Sequence, residues 1–188
     1  MLPKDKMPEA EVTLRLAMAI IEEGHTDSPV VAAIDGAQVK TGSTVHFPIV
    51  EFLNDLGWYG EDQTDRWQCS YKNKKYSQEI VIHSSSGEGD LVAQLKNGKT
   101  LRVESKKGPL SRSKSSKEYP LIREAIGQLM TIEKAEPNDI LAVVVPHSEK
   151  FADLASQWRE RPLMKNANIH IATIDRSNTI KGLENVGI

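Results

Sequence analysis

Residues 89–106 read Gly-Asp-Leu-Val-Ala-Gln-Leu-Lys-Asn-Gly-Lys-Thr-Leu-Arg-Val-Glu-Ser-Lys, two alternating runs on either side of Asn97-Gly98. Alternation of apolar and polar residues about an Asn-Gly pair is the strongest short-range signal of a β-hairpin, so strands are expected over 90–95 and 99–106. Two registers compete. A two-residue Asn97-Gly98 turn sets Leu91 against Glu104 and Ala93 against Arg102, which mixes apolar and charged side chains on both surfaces. A three-residue loop, Lys96-Asn97-Gly98, with Gly98 left-handed as a bulge, sets Leu91 against Val103 and Ala93 against Leu101. The second is preferred, because the opposite surface then collects Asp90, Val92, Gln94, Thr100, Arg102, Glu104 and Lys106.

That register carries chemistry. It places Asp90 across from Glu104, with β-carbons about 4.5–5.5 Å apart. Lys106 follows on the same face, because strand side chains alternate. Facing carboxylates repel unless something positive lies between them. Two carboxylates and a lysine at the end of a hairpin suit a hard divalent cation and a water activated for attack. On spacing alone such a set is more often a solvated charged face, so the surrounding elements decide.

Working outward, helical spacing of Val12, Leu16, Ala19 and Ile20 predicts a helix over 9–24, stopped at Gly24. Ser28-Pro29 resembles a helix start, giving a second helix over 29–39, although Val30-Val31-Ala32-Ala33-Ile34 reads equally as a buried strand. A stronger helix is expected over 43–57, capped by Ser43 and ended by Gly57, with Glu51 at the edge of its apolar face. Strands follow over 66–72 and 78–84. After the hairpin come a basic, serine-rich loop over 108–117 and a helix over 119–134. A fully apolar strand over 139–146 is of the kind buried on both faces. A helix over 148–160 and a strand over 167–174 complete the chain. The order predicts an α/β protein, a mixed β-sheet flanked by helices.

The whole chain has 188 residues, 24 basic and 26 acidic, for a formal charge of −2. That excludes a generally basic coat for nucleic acid or membrane but allows a local patch. One cysteine, Cys69, makes no internal disulfide, and the five histidines form no zinc-ligand cluster. The apolar run Leu16–Ile21 is far short of the roughly 20 residues of a membrane span. Met1–Thr13 is polar and mixed in charge rather than a leader. The expectation is a soluble, cytoplasmic protein without membrane partners.

Gly89-Asp90 followed by Val103-Glu104-Ser105-Lys106 resembles the signature of the PD-(D/E)XK nucleases, the restriction-endonuclease-like superfamily, and the likeness extends over residues 43–147. It implies a restriction-endonuclease-like αβββαβ core over 43–188 with residues 1–42 as an N-terminal helical extension. It also implies a metal-dependent endodeoxyribonuclease of restriction type, using Mg²⁺ (or Mn²⁺ as substitute) and dimerising to cut both DNA strands. Repair or recombination nucleases of the same fold, and silent nucleic-acid-binding or assembly modules, are the alternatives. Carried over by residue, Asp90 and Glu104 are the metal-binding carboxylates. Lys106 orients the attacking water and offsets charge, and Glu51 is the additional acid that many members place on the preceding helix. Gly89 replaces the motif's proline. Gln128 matches a glutamine of some recombination-type members, whose tyrosine four residues later is Ile132 here.

Basic residues crowd the segment that follows. Between Lys99 and Glu118 lie seven basic side chains (Lys99, Arg102, Lys106, Lys107, Arg112, Lys114, Lys117) against two acidic ones. Lys107, Arg112, Lys114 and Lys117 are the candidate phosphate contacts. A second stretch interleaves Arg66, Lys72, Lys74 and Lys75 with Trp67, Tyr71 and Tyr76. It could stack on bases, but aromatics on a strand more often pack a core. Gly98-Lys99-Thr100 imitates a phosphate-binding loop, yet Ala93 stands where its first glycine belongs. The scattered histidines His46, His83, His147 and His170 read as structural.

Overall fold

The computed structural model describes residues 2–61, 66–111 and 117–188. The chain opens with a short strand β1 (Lys6–Met7) and the helix α1 (Glu9–Glu22). Strand β2 (Val30–Ala33) follows, then one helical turn α2 (Gly36–Val39) and a small hairpin of β3 (Lys40–Thr41) and β4 (Thr44–Val45). Helix α3 (Ile49–Asp55) leads into β5 (Trp58–Gly60), β6 (Ser70–Asn73) and β7 (Glu79–His83). The hairpin β8 (Leu91–Gln94) and β9 (Thr100–Ser105) precedes the short β10 (Gly108–Pro109) and the helix α4 (Glu118–Leu129). Strand β11 (Ile140–Pro146), helices α5 (Glu149–Arg159) and α6 (Pro162–Asn166), and strands β12 (Ile169–Ile174) and β13 (Ile180–Lys181) complete it.

Among the described residues, nine strands form one mixed sheet in the order β13-β12-β11-β9-β8-β2-β7-β6-β5. The fold is α/β, with the sheet flanked by helices. Strand β11 is parallel to both neighbours, β9 and β12, and its side chains are almost all buried, as its unbroken apolar run requires. Alternation sorts the sheet into two faces. Leu91, Ala93, Leu101, Val103 and Val144 share a core with α1. Val143, Val145 and Ile171 turn the other way, toward Ile122, Ala125 and Leu129 of α4 and Phe151 of α5.

Three expectations are revised. Residues 29–39 are not one helix: Val30–Ala33 is a strand, parallel to β7 on one side and antiparallel to β8 on the other, and helical backbone is confined to Gly36–Val39. Its β-branched run alternates buried and half-buried side chains, which suits a pleated surface better than a helix. The helix expected over 43–57 is cut to Ile49–Asp55, and Ser43 lies in the β3–β4 turn instead of capping it. Proline at 48 disfavours helical backbone at the residue before it, so the helix cannot begin earlier. Residues 1–42 lie inside the core rather than on its margin. Helix α1 is buried from Ala10 to Ile21, and β2 is a central strand. A helix apolar nearly all round is an interior helix, and its two buried charges, Glu11 and Arg15, are paired at 2.9 Å, with Arg176 adding a second contact to Glu11 at 2.9 Å.

Candidate active site

The hairpin has the preferred register: Leu91 pairs with Val103, Ala93 with Leu101 and Gln94 with Thr100. Gly98 sits at φ +80°, and the amides of Leu95 and Gly98 close the loop on the carbonyls of Lys99 (2.8 Å) and Leu95 (3.0 Å). At the other end the Asp90 amide donates to the Val103 carbonyl at 2.7 Å, while the Asp90 carbonyl accepts from Ala33 at 2.9 Å. Asp90 is thereby fixed between β2 and β9. The glycine before it is obligatory. Gly89 has φ +99°, and a β-carbon there would meet the Val103 carbonyl oxygen at 2.8 Å. Proline, locked near φ of about −65°, could not take this conformation.

Asp90 and Glu104 are brought together, near enough for the charge of Asp90 to act on the Glu104 carboxyl. The Ser105 amide also donates to Asp90 Oδ2 at 2.8 Å. Burial raises the Asp90 carboxyl to about 6, against the Ser105 N–H and Lys106, which favour the charged form, while Glu9 pushes the same way as burial. Glu104 is raised to about 8, by burial first and then by the charge of Asp90, with Lys106 opposing. The pair is desolvated and of like charge, and Lys106 offsets only part of what raises it.

Lys106 emerges from the end of β9, its amide bonded to the Val144 carbonyl at 2.9 Å and its side chain only 4% exposed. Its ammonium lies 3.3 Å from Glu9 and 3.7 Å from Glu124 of α4. Glu9 in turn accepts from Gln38 Nε2 at 3.1 Å and from the Lys107 amide at 3.4 Å. Asp90, Glu104, Lys106 and Glu9 thus form one cluster where the start of α1 meets the end of β9.

Glu9 is the residue sequence reasoning missed, and it stands where Glu51 was expected. Glu51 is exposed on α3, which packs on the edge strand β5, and its charge is felt by Tyr71. Four strand spacings, roughly 20 Å, separate β5 from β8. Gln128 is exposed on α4, one turn beyond Glu124, the residue of that helix that reaches Lys106.

Among the predicted phosphate contacts, Lys107 and Lys117 are exposed, while Arg112 and Lys114 lie outside the described residues. Arg102, counted in the same basic run, is not available. It is buried against Asp139 at 2.6 Å, with Glu88 at 3.4 Å. The second aromatic and basic stretch takes the ordinary route: Tyr71 is buried, Tyr76 stacks on Trp58, and Lys72 is paired with Glu61 and Glu79. Of the histidines, His147 shares a hydrogen bond of 2.9 Å with Thr173.

Among the described residues no group of three or more His, Cys, Asp or Glu converges to hold a metal, and no helix is long and apolar enough to cross a membrane. The carboxylate pair still fits magnesium. That ion is commonly held through one or two carboxylates, its remaining positions filled by water and substrate phosphate. No protein-family model, curated protein or solved structure matches the chain.

Proposed function

We propose that this protein is a magnesium-dependent phosphodiesterase acting on DNA, of the restriction-endonuclease-like type. The observation that carries the reading is the convergence of Asp90, Glu104 and Lys106 at one end of the β8–β9 hairpin, with both carboxyls held above their ordinary range.

Asp90 and Glu104 would hold the cation, Mg²⁺ or Mn²⁺. When bound, that ion supplies Lewis-acid polarisation of a phosphoryl oxygen and a water acidified toward neutral pH. The protein's own residues do the rest. The Ser105 amide fixes one oxygen of Asp90 and leaves the other to a ligand. Lys106 directs its ammonium at the water and at charge developing on the phosphate. Glu9 and Glu124 position that ammonium rather than touching substrate. Lys107 and Lys117 offer the backbone cationic contacts. Cleavage of both strands calls for two copies of a chain with one such site, and a homodimer is part of the proposal.

The test is supercoiled plasmid with Mg²⁺, an EDTA control, and Asp90→Ala and Lys106→Ala. Nicked or linear product is expected from the wild type alone. Cleavage that persists in both variants places the chemistry elsewhere. Tight DNA binding without cleavage under Mg²⁺ or Mn²⁺ makes the protein a binding module that keeps the scaffold.

A further inference from the structure

The helices do not cover the sheet evenly. On the face opposite α1, α4 packs on β9 and β11 and α5 on β12, while Val31, Ala33, Val81 and Val92 on β2, β7 and β8 remain half-buried. Beside the carboxylate pair this open half contains a cavity of about 310 Å³. Val31, Ala33 and Val92 make its floor, and His83, Ser85 and Ser86 stand at its rim. Floor and carboxylates are one hydrogen-bonded unit, since Ala33 donates to Asp90 and Ile34 to His83. Val92 lies on the same strand face as Asp90, about 7 Å along β8, within the reach of one nucleotide.

We propose that this cavity is a subsite for one unstacked nucleobase, from the nucleotide next to the scissile phosphate. The inference rests on the hydrolytic reading above for its substrate.

Charge separates the two neighbouring surfaces. Phosphate needs cations, and the lining of the cavity includes no lysine or arginine. Its acidic member, Glu88, is already paired with Lys134 at 3.0 Å and with Arg102. A neutral, flat, π-faced ligand suits an aliphatic floor beside an imidazole. The imidazole is also oriented. His83 Nδ1 accepts the Ser85 amide at 3.0 Å, so the neutral ring carries its hydrogen on Nε2 and offers it to a base carbonyl or ring nitrogen. In size the cavity sits at the lower end of small-molecule sites, roughly 300–1,000 Å³, enough for one ring system and no more. A stacked duplex base cannot enter, so the base comes from single-stranded DNA or is turned out of a duplex.

The experiment is equilibrium binding of fluorescent DNA to the full chain in EDTA, with a single abasic position moved along the strand. Single strands, matched duplexes and duplexes with one mismatch form three arms. One position is expected to weaken binding about tenfold when its base is missing. Val92→Phe, which fills the cavity, and His83→Ala, at its rim, should each abolish that position dependence, and the rim variant serves if the filled one does not fold. The effect in single strands alone assigns the base to unpaired DNA, and its appearance in mismatched duplexes assigns it to base flipping. A flat scan, or no measurable binding to any probe, overturns the subsite. Plasmid cleavage alongside a flat scan removes the subsite and leaves hydrolysis standing. A position-dependent scan without plasmid cleavage does the reverse.

Discussion

Arg102 and Glu104 sit two residues apart on one face of β9, and their surroundings differ in kind. Arg102 faces its opposite: Asp139 at 2.6 Å, itself held by the Glu136 amide at 3.0 Å. Despite some burial, hydrogen bonds from Arg102 and Glu136 hold the Asp139 carboxyl below its ordinary range. Glu104 faces its like, Asp90, and both are held above theirs. One cluster is complete within the protein and belongs to the scaffold. The other is left short of positive charge, and the proposed cation site rests on that shortfall.

The contrast breaks most visibly in activity. Glu104→Gln keeps the shape and removes the repulsion, so DNA cleavage should fall on the order of 10³-fold while the melting temperature rises. A fall in both would make Glu104 part of the scaffold after all. Next in size is Arg102→Ala, which strands the buried carboxylate of Asp139. Removing one partner of a buried pair costs about 3–5 kcal/mol, a loss of roughly 10 °C in melting temperature for a chain of this size, read by thermal unfolding.

The pH profile sharpens the same difference with opposite signs. Asp139 has its carboxyl lowered, so its stabilisation is present above the ordinary range and lost in acid. Asp90 and Glu104 are raised toward about 6 and about 8, so from about pH 4 upward the unfolded chain ionises first and folded stability declines until about pH 8. Without divalent ions, the melting temperature should therefore drop by a few degrees between pH 5 and 8 and flatten in Glu104→Gln. Mg²⁺ should restore it in the wild type alone. The smallest effect concerns the outer cations. Lys107→Ala and Lys117→Ala should each lower the salt slope of DNA binding by about one unit, whereas Lys72→Ala, already paired with Glu61 and Glu79, should leave it unchanged.

What the sequence disclosed follows from how local the physics is. The hairpin register could be read because a wrong pairing moves every side chain to the wrong face, and Gly98 marks the bulge. Strand β11 announced itself as seven residues of nearly continuous apolar chain. Strand β2 was ambiguous, because a four-residue run after Ser-Pro satisfies a helix start and a strand equally, and only its placement between β7 and β8 decides. Glu9 carried no local signal at all. An acid in the first turn of a helix is favourable in any protein, and Lys106, its partner, lies 97 residues away. The available clue was the helix behind it, apolar from Val12 to Ile21 except at Thr13 and Arg15, whose start must lie near the sheet it packs against. Glu51, on a helix with one apolar face, lacked that support.

Strand β2 imposes an order on biosynthesis. It leaves the ribosome before either of its partners: β7 ends at His83 and β8 at Gln94. At about 5–20 residues per second, several seconds pass with a hydrophobic Val-Val-Ala-Ala-Ile segment unprotected. Only when it slots between them is Ala33 in place to fix Asp90. The meeting of Asp90 with Glu104 is therefore a late event in the life of the nascent chain, and a polypeptide released before residue 104 would lack half of the carboxylate pair.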